Sequence, residues 1–204
     1  METEIVSFSS DKASEALKDG LVIAFPTETV YGLGCIYDNY EAFNSLVQIK
    51  KRPPEKPFTL MGGNNFDFGE FAYLNKGIRN VISEFVPGPI TLLLRPKEGL
   101  YQHVTLNSPA IGIRIPGLKE LRDFIDRVGK PLLVPSANKS GLPPAKNADE
   151  VLQSFNNEIP YIIDGGTTHG LPSTIVDFSS LDEPKLIRQG DLSFERILQV
   201  YKGE

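Results

Sequence analysis

A single cysteine, Cys35, among 204 residues leaves no partner for an intramolecular disulfide. The two histidines, His103 and His169, lie far apart in the chain and form no zinc-ligand pattern, so both read by default as structural or surface residues. Apolar runs are short: residues 90–94, interrupted by Thr91, fall far below the roughly 20 residues that a bilayer span needs. No basic stretch leading into an apolar segment opens the chain, and the reading is of a soluble, cytoplasmic protein with no membrane association. Neither GxxxxGK[ST] nor GxGxxG occurs, so phosphate binding of the P-loop or Rossmann kind is not indicated. Basic charge is also in short supply. Lys and Arg total 21 against 26 Asp and Glu, a formal net charge of −5, which excludes broad coating of RNA or DNA. Repeats, low-complexity tracts and linkers are missing, so residues 1–204 read as one domain.

What is present is a 40% hydrophobic chain in which strand-like and helix-like segments alternate. Helical spacing of apolar residues occurs at 11–19, 40–50, 76–86, 117–128 and, behind an Asn147/Glu150 capping pair, from Val151 onward, with a last helix at about 193–201. Short apolar runs at 21–25, 58–61, 90–95, 110–115, 131–134, 161–164, 174–178 and 185–188 read as strands. The pattern predicts an α/β fold, a sheet of mixed strand direction with flanking helices.

Two segments stand out against that background. PTETVYGLG at 26–34 follows the strand at 21–25 with hydroxyl-bearing residues and two glycines, and reads as a loop suited to ligand contact. IKKRPPEKP at 49–57 places Lys50, Lys51, Arg52 and Lys56 within seven positions with one acid, Glu55, for a local charge of +3. Such a run is usually a solvated helix end. Here two prolines stiffen it and Lys56 returns beyond them, so the cations fit either that solvated end or a converging triphosphate site. PSANKSG at 135–141 places Ser136 and Asn138 two apart, on one side of an extended stretch. Arg114 ends a strand and suits either a ligand carboxylate or a surface ion pair. Arg188 suits a phosphate or an edge charge, and GGTTHGLPS at 165–173 is another loop at a strand end. Cys35 lies close to Gly34 and so to the loop, although a free cysteine is more often a small buried hydrophobe. Tyr31 fits either the core or a ligand.

Together these segments closely resemble the YrdC/TsaC family of threonylcarbamoyl-AMP synthases. PTETVYGLG is similar to the family's opening signature, Lys50 and Arg52 to its KxR element, Lys56 to its following lysine, and Ser136 with Asn138 to its SxN element. GPITLLL, GIRIP, DGG, PSTIVDF and LIRQG follow in the family's order, over about residues 21–193. The resemblance is to the short, single-domain form. It implies a twisted mixed sheet with flanking helices and a large concave, positively charged face. The implied reaction joins L-threonine, bicarbonate or carbon dioxide, and ATP into threonylcarbamoyl-AMP, releasing pyrophosphate. The product is implied to pass to tRNA threonylcarbamoyl-transferase proteins acting on tRNAs that read codons beginning with A. Weak tRNA or RNA binding and magnesium carried with ATP, without a dedicated protein metal site, belong to the same expectation.

Carried over position by position, Thr29, Arg114, Ser136 and Ser173 match the family's threonine contacts, and Arg52, Lys56, Asn138 and Arg188 its ATP contacts. Lys146, a lysine where a threonine often follows SxN, is expected to add a phosphate contact. Lys50, Arg52 and Lys56 are expected to act in catalysis through the charge they place on the phosphates. Met61 stands where many members carry histidine, and Ala110 where a threonine often precedes GIRIP. Two further readings are a non-catalytic RNA-binding module and a YciO-type paralogue, a branch that FTLM at 58–61 resembles.

Overall fold

A computed structural model describes residues 2–51, 57–180 and 183–204. Among these, ten strands join in one mixed sheet: β1 (Glu4–Val6), β2 (Ile23–Pro26), β3 (Tyr31–Ile36), β4 (Thr59–Met61), β5 (Ile90–Leu94), β6 (Ile111–Arg114), β7 (Leu132–Val134), β8 (Tyr161–Ile163), β9 (Thr174–Asp177) and β10 (Lys185–Arg188). Their order across the sheet is β1-β8-β2-β3-β7-β4-β6-β5-β9-β10. The pairs β1·β8, β2·β8, β4·β6 and β5·β9 are parallel, and the others antiparallel, as the alternating pattern predicts for a mixed sheet. The helices are α1 (Asp11–Lys18), α2 (Tyr40–Lys50), α3 (Phe68–Phe71), α4 (Lys76–Phe85), α5 (Gln102–Thr105), α6 (Lys119–Val128), α7 (Ala148–Phe155) and α8 (Phe194–Lys202). The short β1, α3 and α5 have too few residues to show a period, and the sequence does not announce them.

Period-two alternation divides the interior into two cores, one on each face of the sheet. Val22, Ala24, Tyr31, Leu33, Leu92 and Ile113 join the larger core beneath α2, α4, α7 and α8. Ile23, Phe25, Ile36, Leu132 and Val134 join the smaller one beneath α1 and α6. Helix starts are fixed by side chains that accept otherwise orphaned amide protons: Asn39 from Ala42, Asn75 from Ile78, Asn147 from Glu150 and Ser193 from Arg196.

The structure corrects the reading of PTETVYGLG as a ligand loop. Only residues 27–30 form a turn. Tyr31–Ile36 is a wholly buried strand that returns antiparallel along β2, pairing Phe25 with Gly32 and Ile23 with Gly34. The glycines are there for the Phe25 ring and its neighbours. A Cβ on Gly34 would lie 2.5 Å from that ring, and one on Gly32 would lie 2.8 Å from Val134 Cγ1. Cys35, on the alternate face, is buried in the larger core, away from solvent. Among the described residues no helix is long and apolar enough to cross a membrane.

Candidate functional site

The helices α1 and α6 cover the sheet over β8, β2, β3 and β7, and leave that face open toward β10. A cavity of about 560 Å³ lies over the open half, a size that suits small-molecule ligands. Thr59, Thr91, Leu93, Gly112, Ile175 and Ile187 form its floor, one or two from each of five neighbouring strands. Gly112 keeps this floor low, since a Cβ there would touch Leu93, Thr91 and Thr59 at 3.3–3.5 Å. Strand ends build the walls: the β2–β3 turn with Thr27 and Thr29, Arg114 at the end of β6, Ser136 just beyond β7, Ser173 before β9 and Arg188 at the end of β10. Among the described lining residues the charged side chains are Arg114 and Arg188, both cationic.

Arg114 is buried, and its Nη2 donates to Glu28 Oε1 at 2.8 Å and to Thr29 Oγ1 at 2.9 Å. The sequence allowed a surface ion pair; the structure corrects this to a pair in which Arg114 is buried and Glu28 partly so, because the β2–β3 turn meets the end of β6. Burial alone would raise the Glu28 carboxyl, but the Arg114 guanidinium and nearby amide N–H groups outweigh it and hold it below the usual carboxylate range. Among the described residues, two buried side-chain atoms have no protein hydrogen-bond partner, Glu28 Oε2 and Arg114 Nε. Arg188 donates from Nε and Nη2 to the Ser173 carbonyl at 3.1 and 2.9 Å, and from Nη2 to Ser173 Oγ at 3.2 Å. Partial burial and then the nearby Arg114 charge lower its pKa, so two mutually repelling guanidiniums share one cavity. An anion relieves that repulsion.

The hydroxyls beside them have a fixed sense. Thr27 Oγ1 donates to the Val30 carbonyl at 2.7 Å, so in its 2.8 Å contact with Thr29 it accepts. Thr29 thus gives its proton to Thr27, takes one from Arg114, and offers lone pairs only. Ser136 Oγ donates to Asn138 Oδ1 at 2.6 Å, an oxygen whose identity is set because Asn138 Nδ2 donates to the Lys139 and Leu142 carbonyls. Ser173 Oγ exchanges a hydrogen bond with Thr91 Oγ1 at 2.9 Å. Cations set beside acceptor hydroxyls suit a ligand with an anionic group and hydroxyl or amine donors.

The cavity gathers Thr29, Arg114, Ser136, Ser173 and Arg188 from the sequence-derived set. Lys50 is buried behind it at the end of α2, where Nζ donates to the Ser136 carbonyl at 2.6 Å and to Asn138 O and Oδ1 at 2.7 Å. Its ammonium thereby braces the loop that carries Ser136. Asn138 stands behind Ser136 in the same network, and does not line the cavity. Lys146 is exposed; its stem runs beside Gly170 and its carbonyl accepts from Thr168 N at 2.8 Å. Arg52 and Lys56 lie outside the described residues. Met61 and Ala110 both line the cavity, and Met61 sits beside Arg114 in the β4–β6 register. Sequence reasoning missed Glu28, Thr27 and Thr91. Glu28 lies inside the most conspicuous motif, but only the fold shows that Arg114, 86 positions later, faces it.

Other candidates take structural places. The Tyr31 hydroxyl donates to the Gly166 carbonyl at 2.9 Å and accepts from Gly165 N at 3.2 Å, tying the 165–173 loop to β3. Burial is the main cause that raises its pKa. His103 Nε2 lies 2.8 Å from the Tyr37 carbonyl among Tyr40, Phe43 and Tyr101, while His169 is exposed.

Residues 15–190 match the profile of the Sua5/YciO/YrdC family, described as "Telomere recombination". The chain is 33% identical over 193 residues to the threonylcarbamoyl-AMP synthase of Pyrococcus abyssi, covering 92% of this chain and 56% of that protein. To the synthase of an Enterobacter species it is 33% identical over 171 residues, 81% of this chain and 89% of the relative. The chain thus spans about half the length of some relatives and most of others. Among solved structures, Pyrococcus abyssi Sua5 complexed with L-threonine superposes with a TM-score of 0.90 at 30% identity, covering 97% of this chain and 61% of that one. Escherichia coli YciO shares the fold, with a TM-score of 0.80 at 24% identity over 88% of this chain and 87% of that one.

Proposed function

This chain belongs to the Sua5/YciO/YrdC family, and on that premise we propose that it is an L-threonylcarbamoyladenylate synthase, a nucleotidyltransferase that joins L-threonine, bicarbonate or carbon dioxide, and ATP with release of pyrophosphate. The observation that carries this reading is the cavity in which Arg114 and Arg188 meet the acceptor hydroxyls of Thr29 and Ser136. Superposition on a relative complexed with L-threonine supports placing the amino acid there.

In this reading Arg114 receives the threonine carboxylate as a charge-assisted pair. The lone pairs of Thr29 and Ser136 accept from the amine and hydroxyl, and a site built of small hydroxyls discriminates against amino acids lacking that group. Arg188 faces the nucleotide phosphates, joined by Arg52, Lys56 and Lys146. Lys50 and Asn138 act from behind by fixing Ser136. The threonine carbamate attacks the α-phosphorus in line, the bond to the β-phosphate oxygen breaks, and pyrophosphate leaves. Positioning and cationic stabilisation of the phosphates supply the acceleration. Burial raises the Cys35 thiol to about 12, and its place in the opposite core leaves it without a part in the chemistry. Among the described residues no three His, Cys, Asp or Glu side chains converge to hold a metal ion. Magnesium enters this reading as a companion of the nucleotide substrate. The product would be consumed by tRNA threonylcarbamoyl-transferase proteins in the cytoplasm.

The test is incubation with ATP, magnesium, bicarbonate and L-threonine, each omitted in turn, with mass-spectrometric detection of threonylcarbamoyl-AMP. Product that requires all three substrates is the expected result. Salt-sensitive RNA affinity without turnover would favour an RNA-binding module, and nucleotide binding without product a YciO-type protein.

A further inference from the structure

We propose that Glu28 is a positioning residue for substrate recognition: a carboxylate that lies beside Arg114 outside the cavity lining, anchors Nη2 of its guanidinium, and so orients the remaining N–H groups toward the carboxylate of the amino acid. The inference rests on the functional reading above and adds a residue that none of its motifs assigns.

Three observations converge. First, Arg114 lines the cavity and Glu28 does not, so the acid lies on the protein side of the guanidinium. It is wedged there, because a Cβ on Gly117 would come within 3.3 Å of its carboxyl carbon. Second, both Glu28 Oε1 and Thr29 Oγ1 take their hydrogen bonds from the same nitrogen, Nη2, at 2.8 and 2.9 Å. That arrangement fixes the plane of the group and leaves Nε, itself buried, without a protein partner. A buried guanidinium N–H without an acceptor is costly unless a ligand supplies one. A carboxylate is the acceptor that matches a guanidinium N–H in charge. Third, Arg188 faces the same cavity, and the two cations repel. Glu28 cancels one of the two charges and keeps Arg114 from turning away from its neighbour.

Two effects of removing Glu28 oppose each other. More net positive charge would attract an anion, whereas an unanchored guanidinium would lose the orientation that a directed, charge-assisted contact requires. At contact distance in a desolvated site orientation decides, because a misplaced hydrogen bond leaves its partners unpaired.

The experiment compares binding of L-threonine with that of L-threoninamide, which keeps the amine and hydroxyl but has a neutral amide for the carboxylate. Calorimetric titration of wild type, Glu28→Gln and Glu28→Asp reads both ligands, and thermal melts confirm folding. Glu28→Gln is expected to weaken L-threonine roughly tenfold or more, as loss of a charge-assisted contact does, and L-threoninamide less than about threefold. The Michaelis constant for ATP should stay within about twofold, a pattern that a general loss of structure would not give. Glu28→Asp should restore part of the preference for L-threonine. An unchanged preference in folded Glu28→Gln, equal losses for both ligands, or tighter L-threonine binding would each overturn the proposal. Should Glu28→Gln fail to fold, Glu28→Asp decides alone: a selective loss for L-threonine supports the anchor, and no selective loss overturns it. Wild type that binds neither ligand would overturn the functional reading and this role with it, whereas wild-type binding with an insensitive variant overturns the role only.

Discussion

A carboxylate held below its ordinary range while largely buried stores a definite pH dependence. Glu28 has its folded pKa lowered from the ordinary 4.5, burial being opposed and outweighed by Arg114 and nearby amides. The depressed value means that its stabilisation is fully present above about pH 4.5 and is lost as pH falls through the folded value, where the native state must take up the proton. Denaturant midpoints measured from pH 7 down to pH 3 should therefore fall more steeply for wild type than for Glu28→Gln below pH 4.5, and parallel curves would remove the pair from the acid response. Arg114→Ala should be worse than either, because it leaves a partly buried carboxylate without its cation, at a cost of roughly 1–3 kcal/mol. Chemical denaturation reads that cost directly, and a loss under about 1 kcal/mol would show that Glu28 finds another partner. Cys35 gives the opposite case. Its thiol, raised to about 12 by burial, should resist a thiol reagent at pH 8 in the folded protein and react once urea unfolds it. Fast reaction in the native state would contradict its place in the core. At this scale the sequence singled out Thr29, Arg114, Ser136, Ser173 and Arg188, which the fold gathers around one cavity, but not that Arg114 already holds an acid. Pairing across 86 positions is a property of the sheet register, invisible to local spacing.

Between residue and molecule, elements explain why one motif reads two ways. PTETVYGLG looks like a ligand loop because glycines and hydroxyls cluster there, yet its second half is a strand whose glycines make room for Phe25. Gly34→Ala should accordingly cost about 1–3 kcal/mol by overpacking, with the loss partly recovered when Phe25→Leu clears the ring. Urea midpoints of the two single variants and the double would show it, and strict additivity would mean that the close approach is not the cause. Elsewhere, local chemistry and fold agree. The predicted Asn147/Glu150 pair is found as a helix cap, with the Asn147 side chain accepting from Glu150 N at 2.9 Å. The Tyr40–Lys50 helix has the bounds that its periodicity predicts. What periodicity could not supply was the direction of Lys50. A lysine at a helix C-terminus beside other cations reads as surface charge, whereas the close approach of the loop beyond β7 turns it inward to oxygens of Ser136 and Asn138.

For the whole molecule, uneven cover makes the site. One face of the sheet is clothed by α2, α4, α7 and α8, while α1 and α6 shield only part of the other. The open remainder ends at β10, an edge strand whose four residues are all exposed and whose last two, Ile187 and Arg188, line the cavity. An unpaired, solvated edge opens more readily than the central strands, so amides of β10 should exchange hydrogen fastest among the inner wall segments and those of β3 and β7 slowest. If the cavity takes L-threonine and ATP together, adding both should slow exchange at 27–32, 134–138, 172–175 and 185–188, which all border that space. Exchange in α1 and α4, outside it, should stay as it was. Slowing confined to 185–188 would place the nucleotide at the sheet edge without the amino acid. No change in any of the four segments, at ligand concentrations that support turnover, would move catalysis away from this cavity altogether.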